Sequence, residues 1–386
     1  MEFAFTEEQQ MIRDTAAAFL AEVSDSEAVR RAMATEQGYE DGVWQRVCQE
    51  MVWQAMHIPE AYGGMGLGYV ELVAVLEQMG ASLLCAPFFS TVCLGVNALL
   101  VAGSDEQRAR YLPAIAEGSL TATLAYTGVS RRWGADAIAV SCEPRGDGYV
   151  LNGTLRYVLD GHTAGLVAVA ARAPGTSGEA GVSLFLLSGD SPGLTRRWLP
   201  TMDQTRRQAE LVLEGVVVGA DGLMGEAGAG WPALQRIIGL ATVALAAEQA
   251  GGAQRVLDLA VAYGKERYQF NRPIAGFQAI KHKAADMMLR AEVARSGVYY
   301  AACIADEALG GGRLADELPE AASVAKAWCS DAYFRNAGDS LQIFGGVGFT
   351  WEYDVHLYLK RAKASEHLLG SGAWHREQVA AMLLDQ

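Results

Sequence analysis

The sequence predicts an α+β protein of several domains, in which a helical region is followed by a β region and then by a second helical region. Two changes in hydrophobic periodicity support this order: apolar residues recur at helical spacing, then form short strand-length runs, then return to long helical patterns. We expect an N-terminal helical domain over 1–118, a middle antiparallel β-barrel or sandwich over 119–224, and a C-terminal four-helix bundle over 225–386.

The N-terminal region begins with a helix start signal. Thr6 and Gln9 have the spacing of a capping box, and Glu7 and Glu8 suit the positive end of a helix. Further helices are expected over 40–55, 69–80, 91–103 and 104–117.

The middle region has the sequence pattern of a small β domain. Its strand-like runs are LTATLAYT, AIAVS, YVLNG, LVAVAA, VSLFLL and AELVLEGVVV. Gly146-Asp147-Gly148 separates two of them and predicts a hairpin turn.

The C-terminal region is predicted to contain long helices. They are expected over Pro232–Glu266, Ala275–Leu309 and Leu318–Phe344, with a fourth after Gly348. The stretch IIGLATVALAAEQAGGA is apolar on every side, as is typical of a helix enclosed in a bundle.

Composition excludes several classes of protein. The chain has 386 residues, of which 51% are hydrophobic and 20% charged, so it is not a disordered chain. A net charge of −14 argues against binding to nucleic acid or to an anionic membrane. No apolar run approaches the ~20 residues of a membrane span, the N-terminus lacks a signal-peptide pattern, and the six cysteines form no C-x-x-C pair. We therefore expect a cytoplasmic protein with no membrane insertion.

Several common catalytic motifs are absent from the sequence. It contains no P-loop, no G-x-G-x-x-G after a strand and no G-x-S-x-G elbow. The six histidines and six cysteines show no zinc spacing, so no metal site is predicted.

Two segments stand out. ERYQFNRPIAGFQAIKHKAADM (266–287) contains two arginines, with Arg267 and Phe270 predicted on one helix face and Gln278 on a second helix. QIFGGVGFTWEYDVHLYLKRAK (342–363) contains glycines that let backbone approach a ligand closely. On spacing alone, solvated helix-end arginines and an ordinary glycine loop are the favoured explanation of the two segments.

The whole chain resembles the acyl-CoA dehydrogenase family. Besides those two segments, FTEEQQMIRD, IPEAYGGMGLGYVELVAVLEQMG (58–80) and YVLNGTLRYVLDG (149–161) match the family in order. The form FTWEYDVHLYLKRAK most resembles actinobacterial members, many of which act on steroid side chains or unusual acids, in some cases as heterotetramers.

The resemblance implies FAD as cofactor, held between domains and across a subunit contact. Arg267 is implied to reach the FAD pyrophosphate of a neighbouring subunit and Phe270 to pack on the adenosine. Gln278 is implied to hydrogen-bond the cofactor. Lining of the adenine side is implied for Gln342, Gly345 and Gly346. Tyr157 is implied to lie beside the flavin ring, where the family usually has Trp; Leu159 replaces the usual Thr.

The sequence departs from the family at the catalytic base. Many relatives have a glutamate immediately before a glycine, where this chain has Leu369 before Gly370. A second form of the family has its glutamate at the position of Ala241. The loop YTGVSRRWGAD replaces the usual E-P-G-x-G-S-D. The backbone N–H at Leu369, which in the family binds the thioester oxygen, survives any change of side chain, so Leu369 and Gly370 are predicted to bind substrate.

Glu248 is the predicted base. It lies two helical turns after Ala241 on the same face, among small and apolar helix neighbours, and burial of a carboxyl raises its proton affinity. The alternative for Glu248 is a structural hydrogen bond in the bundle core. Glu366 is a second candidate base, which also fits a solvated charge.

The leading hypothesis is α,β-dehydrogenation of an acyl-CoA to the trans-2-enoyl-CoA, with electrons passed to an electron-transfer flavoprotein, by a homotetramer or an α2β2 heterotetramer. Ala241 and the glycines at 251 and 252 suggest room for a bulky acyl group. The alternative is a non-catalytic partner subunit that completes the FAD site of a catalytic paralogue.

Overall fold

The computed structural model describes residues 6–128, 130 and 133–384 and shows helices, then a β-sheet, then helices along the chain. This order confirms the predicted fold class. The helices are α1 (Glu7–Val23), α2 (Ser26–Met33), α3 (Asp41–Gln49), α4 (Tyr69–Ala81), a π-helix (Phe89–Val96), α5 (Asn97–Ala102), α6 (Asp105–Ala116), α7 (Trp231–Glu266), α8 (Gln278–Gly310), α9 (Leu318–Phe344), α10 (Val355–His367) and α11 (Gly372–Leu384). The strands are β1 (Ala122–Ala125), β2 (Ser141–Arg145), β3 (Gly148–Leu159), β4 (Leu166–Arg172), β5 (Val182–Ser188), β6 (Leu194–Leu199), β7 (Gln208–Val218), β8 (Leu223–Met224), β9 (Tyr268–Gln269) and β10 (Arg272–Pro273).

The chain divides into two compact units. The helical unit contains the described residues of Met1–Arg30, Tyr69–Leu84 and Thr242–Gln386, and the sheet unit contains Arg31–Gly68 and Cys85–Ala241. The three-domain boundaries at 118 and 224 stay a prediction.

The helical unit is organised around α9. The helices α8, α10 and α11 all pack against α9, while α4 packs on both α1 and α8. The predicted capping box starts α1: Gln9 N–H donates to Thr6 Oγ1 at 3.2 Å, and Thr6 N–H donates to Gln9 Oε1 at 3.0 Å. Local capping therefore fixes where the first helix begins.

The sheet unit contains one mixed sheet. Its strand order is β6-β7-β3-β2-β4-β5-β8, with β1 also on β4. Most neighbours are antiparallel, as predicted, while β1 and β2 both run parallel to β4. β1 pairs with the start of β4 and β2 meets only its last residue, so two short strands share one edge of a strand that is buried along most of its length. The predicted turn at 146–148 is confirmed, since β2 ends at Arg145 and pairs with Gly148.

Candidate functional site

A two-residue hairpin follows the end of α7. The strands β9 and β10 pair through Gln269 and Arg272, which leaves Phe270 and Asn271 as the turn, with φ of 54° and 62°. Both residues are left-handed, as a type I′ turn requires. The prediction that Arg267 and Phe270 share a helix face is therefore wrong: α7 ends at Glu266, and the chain reverses before Pro273.

Phe270 is an exposed aromatic residue in a strained conformation. Its exposed fraction is 86%, although a bulky residue in the left-handed region costs on the order of 1 kcal/mol or more. Its ring lies edge-on to Phe277 at 6.0 Å, and the Arg272 guanidinium covers Phe277 at 4.0 Å. The turn thus holds an uncovered aromatic ring in a defined place, an arrangement that suits ligand binding better than stability.

Three of the polar residues implied to contact the cofactor are exposed. Arg267 is exposed, and its side chain makes no salt bridge within the described part of the chain. Gln278 is the exposed first residue of α8, and Gln342 is exposed near the end of α9. An uncompensated cation and two exposed amides are suitable donors for a phosphate and a nucleoside.

The glycines after α9 form an open backbone surface. Gly345 has φ 65° and ψ −144°, a conformation that favours glycine, and a Cβ added at Gly345 or Gly346 would meet no atom within 4 Å. Phe344 anchors the loop because it stacks on Tyr263 at 4.2 Å and meets Tyr353 at 5.2 Å. Together with the exposed donors, this surface fits the adenosine and pyrophosphate part of FAD.

Tyr157, the residue expected beside the flavin, lies at a bulge in the sheet unit. The β3–β7 register shifts between Arg156 and Val158, and Tyr157 has φ 63°. A bulge turns a side chain out of the strand's alternation. The Arg156 backbone is fixed by two bonds to Thr127, at 3.0 and 2.8 Å, and its side chain pairs with Glu210.

The replaced loop YTGVSRRWGAD is described only in part. Residues 129, 131 and 132 lie outside the described residues, so the expectation that its cofactor contacts differ stays a prediction.

Leu369 and Gly370 form a left-handed turn between α10 and α11. Their φ values are 59° and 109°, and Leu369 is buried. A Cβ on Gly370 would lie 2.6 Å from the Trp374 ring, so only glycine fits there. The backbone at the predicted thioester-binding position is thus held in a conformation that leucine rarely adopts.

A buried lysine lies under this turn. Lys326 of α9 is fully buried, and its ammonium donates three hydrogen bonds: to Ser330 Oγ at 2.8 Å, to the Glu366 carbonyl at 3.1 Å and to the Gly370 carbonyl at 2.9 Å. Burial lowers the pKa of Lys326 to about 7, although nearby acidic groups oppose the shift. All three donors of the ammonium therefore have acceptors, two of which are backbone carbonyls around the turn.

A buried histidine binds the same turn from α11. His375 Nε2 lies 3.0 Å from the Leu369 carbonyl, and Nδ1 lies 3.1 Å from Ser323 Oγ. Since a carbonyl only accepts, Nε2 carries the proton and Ser323 donates to Nδ1. Burial, reinforced by the Lys326 charge, lowers the pKa of His375 to about 3, so the ring is neutral.

Glu248 lies on α7 beside this network. It is buried, and the next residue, Gln249, donates to Ser330 Oγ and Ser365 Oγ at 3.2 Å each. Ser330 in turn accepts from Lys326, so the helix turn carrying Glu248 and the Leu369–Gly370 turn belong to one buried hydrogen-bonded network.

The glycines near Glu248 are packing positions. A Cβ at Gly251 would lie 1.8 Å from the Glu77 carbonyl oxygen, and one at Gly252 would lie 2.4 Å from the Tyr333 ring. A Cβ at Gly80 would lie 2.0 Å from the Glu248 carbonyl oxygen. The expectation that Gly251 and Gly252 leave room for a bulky acyl group is therefore wrong, because neighbouring atoms occupy that space.

Glu366, the alternative base, is ion-paired. Its Oε2 lies 2.8 Å from Lys363 Nζ, and 22% of its side chain is exposed. Its carboxylate therefore already has a cationic partner at the surface of α10.

Sequence reasoning missed Lys326, His375 and Ser323. The only available signal was a lone lysine in the alanine-rich run ASVAKAWCS, which has no motif spacing. Within 6–128, 130 and 133–384, no helix is long and apolar enough to cross a membrane, and no cluster of three or more His, Cys, Asp or Glu could hold a metal ion.

Comparisons with known proteins find the same family at both ends of the chain. Residues 6–119 match the acyl-CoA dehydrogenase N-terminal domain, and residues 228–384 match the acyl-CoA dehydrogenase C-terminal domain. Acyl-CoA dehydrogenase IpdE2 of Mycolicibacterium smegmatis is 32% identical over 368 residues, covering 95% of each protein.

Two solved structures share the fold over the full length. Butyryl-CoA dehydrogenase from Megasphaera elsdenii has a TM-score of 0.90 at 26% identity, covering 100% of both chains. A chain of the ChsE4–ChsE5 complex from Mycobacterium tuberculosis has a TM-score of 0.88 at 27% identity, also covering 100% of both chains. The chain belongs to the acyl-CoA dehydrogenase family of FAD-dependent oxidoreductases.

Proposed function

We propose that this chain dehydrogenates an acyl-CoA thioester to the trans-2-enoyl-CoA, with Glu248 as the base. The observation that carries the proposal is the buried network just described. It joins the helix turn of the buried Glu248 carboxylate to the left-handed Leu369–Gly370 turn.

The chain's own residues supply two of the three requirements of the reaction. Glu248 accepts the proton from Cα, from a buried position on the helix turn that the network joins to the Leu369–Gly370 turn. The Leu369 N–H binds the thioester oxygen and so stabilises the negative charge that develops there. When bound, FAD supplies the acceptor for the hydride that leaves Cβ.

The cofactor contacts proposed for this chain are those exposed near the α7 hairpin and the end of α9. Arg267 pairs with the pyrophosphate, Phe270 packs on the adenosine, and Gln278 donates to the cofactor. Gln342, Gly345 and Gly346 line the adenine side, and Tyr157 lies beside the flavin. Arg267, Phe270, Gln278, Gln342 and Gly346 are exposed in the single chain, which is consistent with a cofactor shared with a neighbouring subunit.

The proposed partners follow from the family. We propose an electron-transfer flavoprotein as electron acceptor and a homotetramer or α2β2 heterotetramer as the assembly, the latter because a chain of the ChsE4–ChsE5 complex is similar. We propose the cytoplasm as location, since the six cysteines are free thiols and five of them are buried.

The second candidate is the non-catalytic partner subunit. Leu369 and the alanine at 241 favour it, because both positions that hold a glutamate in relatives are apolar here. Glu248 favours catalysis, since it places a buried acidic side chain on the helix turn that the network joins to the Leu369–Gly370 turn.

Anaerobic titration of the purified chain with a panel of acyl-CoA thioesters separates the two candidates. We expect a yellow protein whose oxidised-flavin absorbance is bleached by at least one thioester. A colourless product that gains flavin and activity only with a second chain would contradict catalysis by this subunit.

A further inference from the structure

The function proposed above gives Lys326 no step in the reaction, although it is the most completely buried cation described in the helical unit. It is held without a direct carboxylate contact, since its three acceptors are a hydroxyl and two backbone carbonyls. A buried cation without a carboxylate contact is costly to retain, so its position calls for an explanation.

The carbonyls that Lys326 and His375 bind lie on either side of two peptide groups, one of which carries the Leu369 N–H. The peptide that carries the Leu369 N–H lies between the Glu366 carbonyl, which Lys326 binds, and the Leu369 carbonyl, which His375 binds. Lys326 also binds the next carbonyl, that of Gly370. Because peptide groups are planar, fixing these carbonyls restricts the rotation of the segment between them.

The turn needs such restraint. Leu369 is at φ 59°, where a leucine relaxes to negative φ unless its surroundings hold it. Relaxation would reorient the very N–H that the proposed function uses. A misplaced oxyanion donor is as harmful as an absent one, since the stabilisation depends on its direction.

We propose that Lys326 and His375 are positioning residues that hold the Leu369 N–H in the orientation that binds the thioester oxygen. The expected loss of flavin-reduction rate rests on the proposed function, whereas the expected change in hydrogen exchange at the turn does not. It assigns no proton transfer to either residue.

The experiment compares the flavin-loaded chain with Lys326→Met, His375→Leu and His375→Gln. Lys360→Met is the matched control: it makes the same substitution at a half-buried lysine of α10 whose ammonium lies 5.0 Å from the centre of the exposed Trp351 ring. Two measurements are made on each protein: hydrogen exchange of the peptide spanning 366–374, and single-turnover flavin reduction by an acyl-CoA identified as substrate.

We expect the exchange of the 366–374 amides to rise about tenfold or more in Lys326→Met and His375→Leu, because a buried carbonyl loses its donor. The rate of flavin reduction should fall about 10- to 100-fold with little change in the half-saturating thioester concentration. His375→Gln retains a side-chain N–H and should recover part of both losses. Lys360→Met should match the wild type.

Unchanged exchange in the 366–374 peptide of a folded Lys326→Met or His375→Leu variant would overturn the proposal. So would faster exchange with an unchanged reduction rate. If Lys326→Met does not fold, the His375→Leu and His375→Gln pair decides. If no thioester reduces the flavin of the wild type, the proposed function fails. The exchange measurement still tests whether Lys326 and His375 hold the Leu369–Gly370 turn.

Discussion

At the scale of single residues, backbone strain coincides with the proposed site. Tyr157, Phe270 and Leu369 are bulky residues at φ of 63°, 54° and 59°. Each conformation costs free energy that a glycine would avoid, so each must be over-determined by its surroundings. The family resemblance alone implies a site role for each of the three, so the strain coincides with the proposed site and favours a functional reason for it.

Arg267 tests the cofactor contact at this scale. We expect Arg267→Ala to weaken FAD binding about 10- to 100-fold, since a hydrogen bond to a charged group contributes about 1.5–3 kcal/mol. Flavin content after gel filtration measures the effect. The exposed Arg313 provides the control, and Arg313→Ala should retain its flavin. Full flavin occupancy in Arg267→Ala would show that the cation does not contact the cofactor.

At the scale of elements, close contact between α4 and α7 positions Glu248. Gly80 lies against the backbone of Glu248, and Gly251 lies against the backbone of Glu77. Two helices approach this closely only where a glycine faces a backbone. The helix turn that carries the proposed base is therefore held by backbone contact as well as by the bonds of Gln249.

Adding a methyl group at this contact should disturb both stability and catalysis. We expect Gly251→Ala to destabilise the protein by about 1–3 kcal/mol and to slow flavin reduction, because α7 must shift away from the Glu77 carbonyl. Denaturant titration and stopped-flow reduction measure the two effects.

The matched control is Gly297→Ala on α8, where an added Cβ meets no atom within 4 Å. It should stabilise the protein by about 0.5–1 kcal/mol, as alanine does in a helix. Equal stability of the two variants would contradict the packing argument.

The sequence predicts the bounds of the long helices better than those of the short elements. The bounds of α9 are as predicted, and α7 begins one residue earlier, because both have long apolar patterns. β6 and α11 were not predicted. β6 is a half-exposed edge strand that contains Arg196 and Arg197, so its pattern does not indicate a strand. The 270–271 turn requires positive φ at a phenylalanine, which no local rule predicts.

At the scale of the whole molecule, the sequence predicts the family and the order of its regions. It does not predict the buried side chains that form hydrogen bonds to the Leu369–Gly370 turn. Five motifs in order identified the family, and the cofactor residues stay a prediction that the resemblance implies residue by residue. The positioning role proposed for Lys326 depends on contacts from α9 to Glu366 and Gly370, which lie 40 and 44 residues further along the chain. Such contacts leave no spacing pattern, so only the folded chain reveals them.

The central claim is that this chain is itself catalytic and that Glu248 is its base. The most direct measurement is anaerobic single-turnover reduction of the flavin by an acyl-CoA, with Glu248→Gln compared with Glu366→Gln. Gln retains the shape of Glu248 but cannot accept the proton as a carboxylate does, so thioester binding should still perturb the flavin spectrum. Reduction should slow by about 10²–10⁴-fold, the usual contribution of a positioned base. Glu366→Gln should reduce at nearly the wild-type rate. Flavin reduction at nearly the wild-type rate in Glu248→Gln would show that Glu248 is not the base.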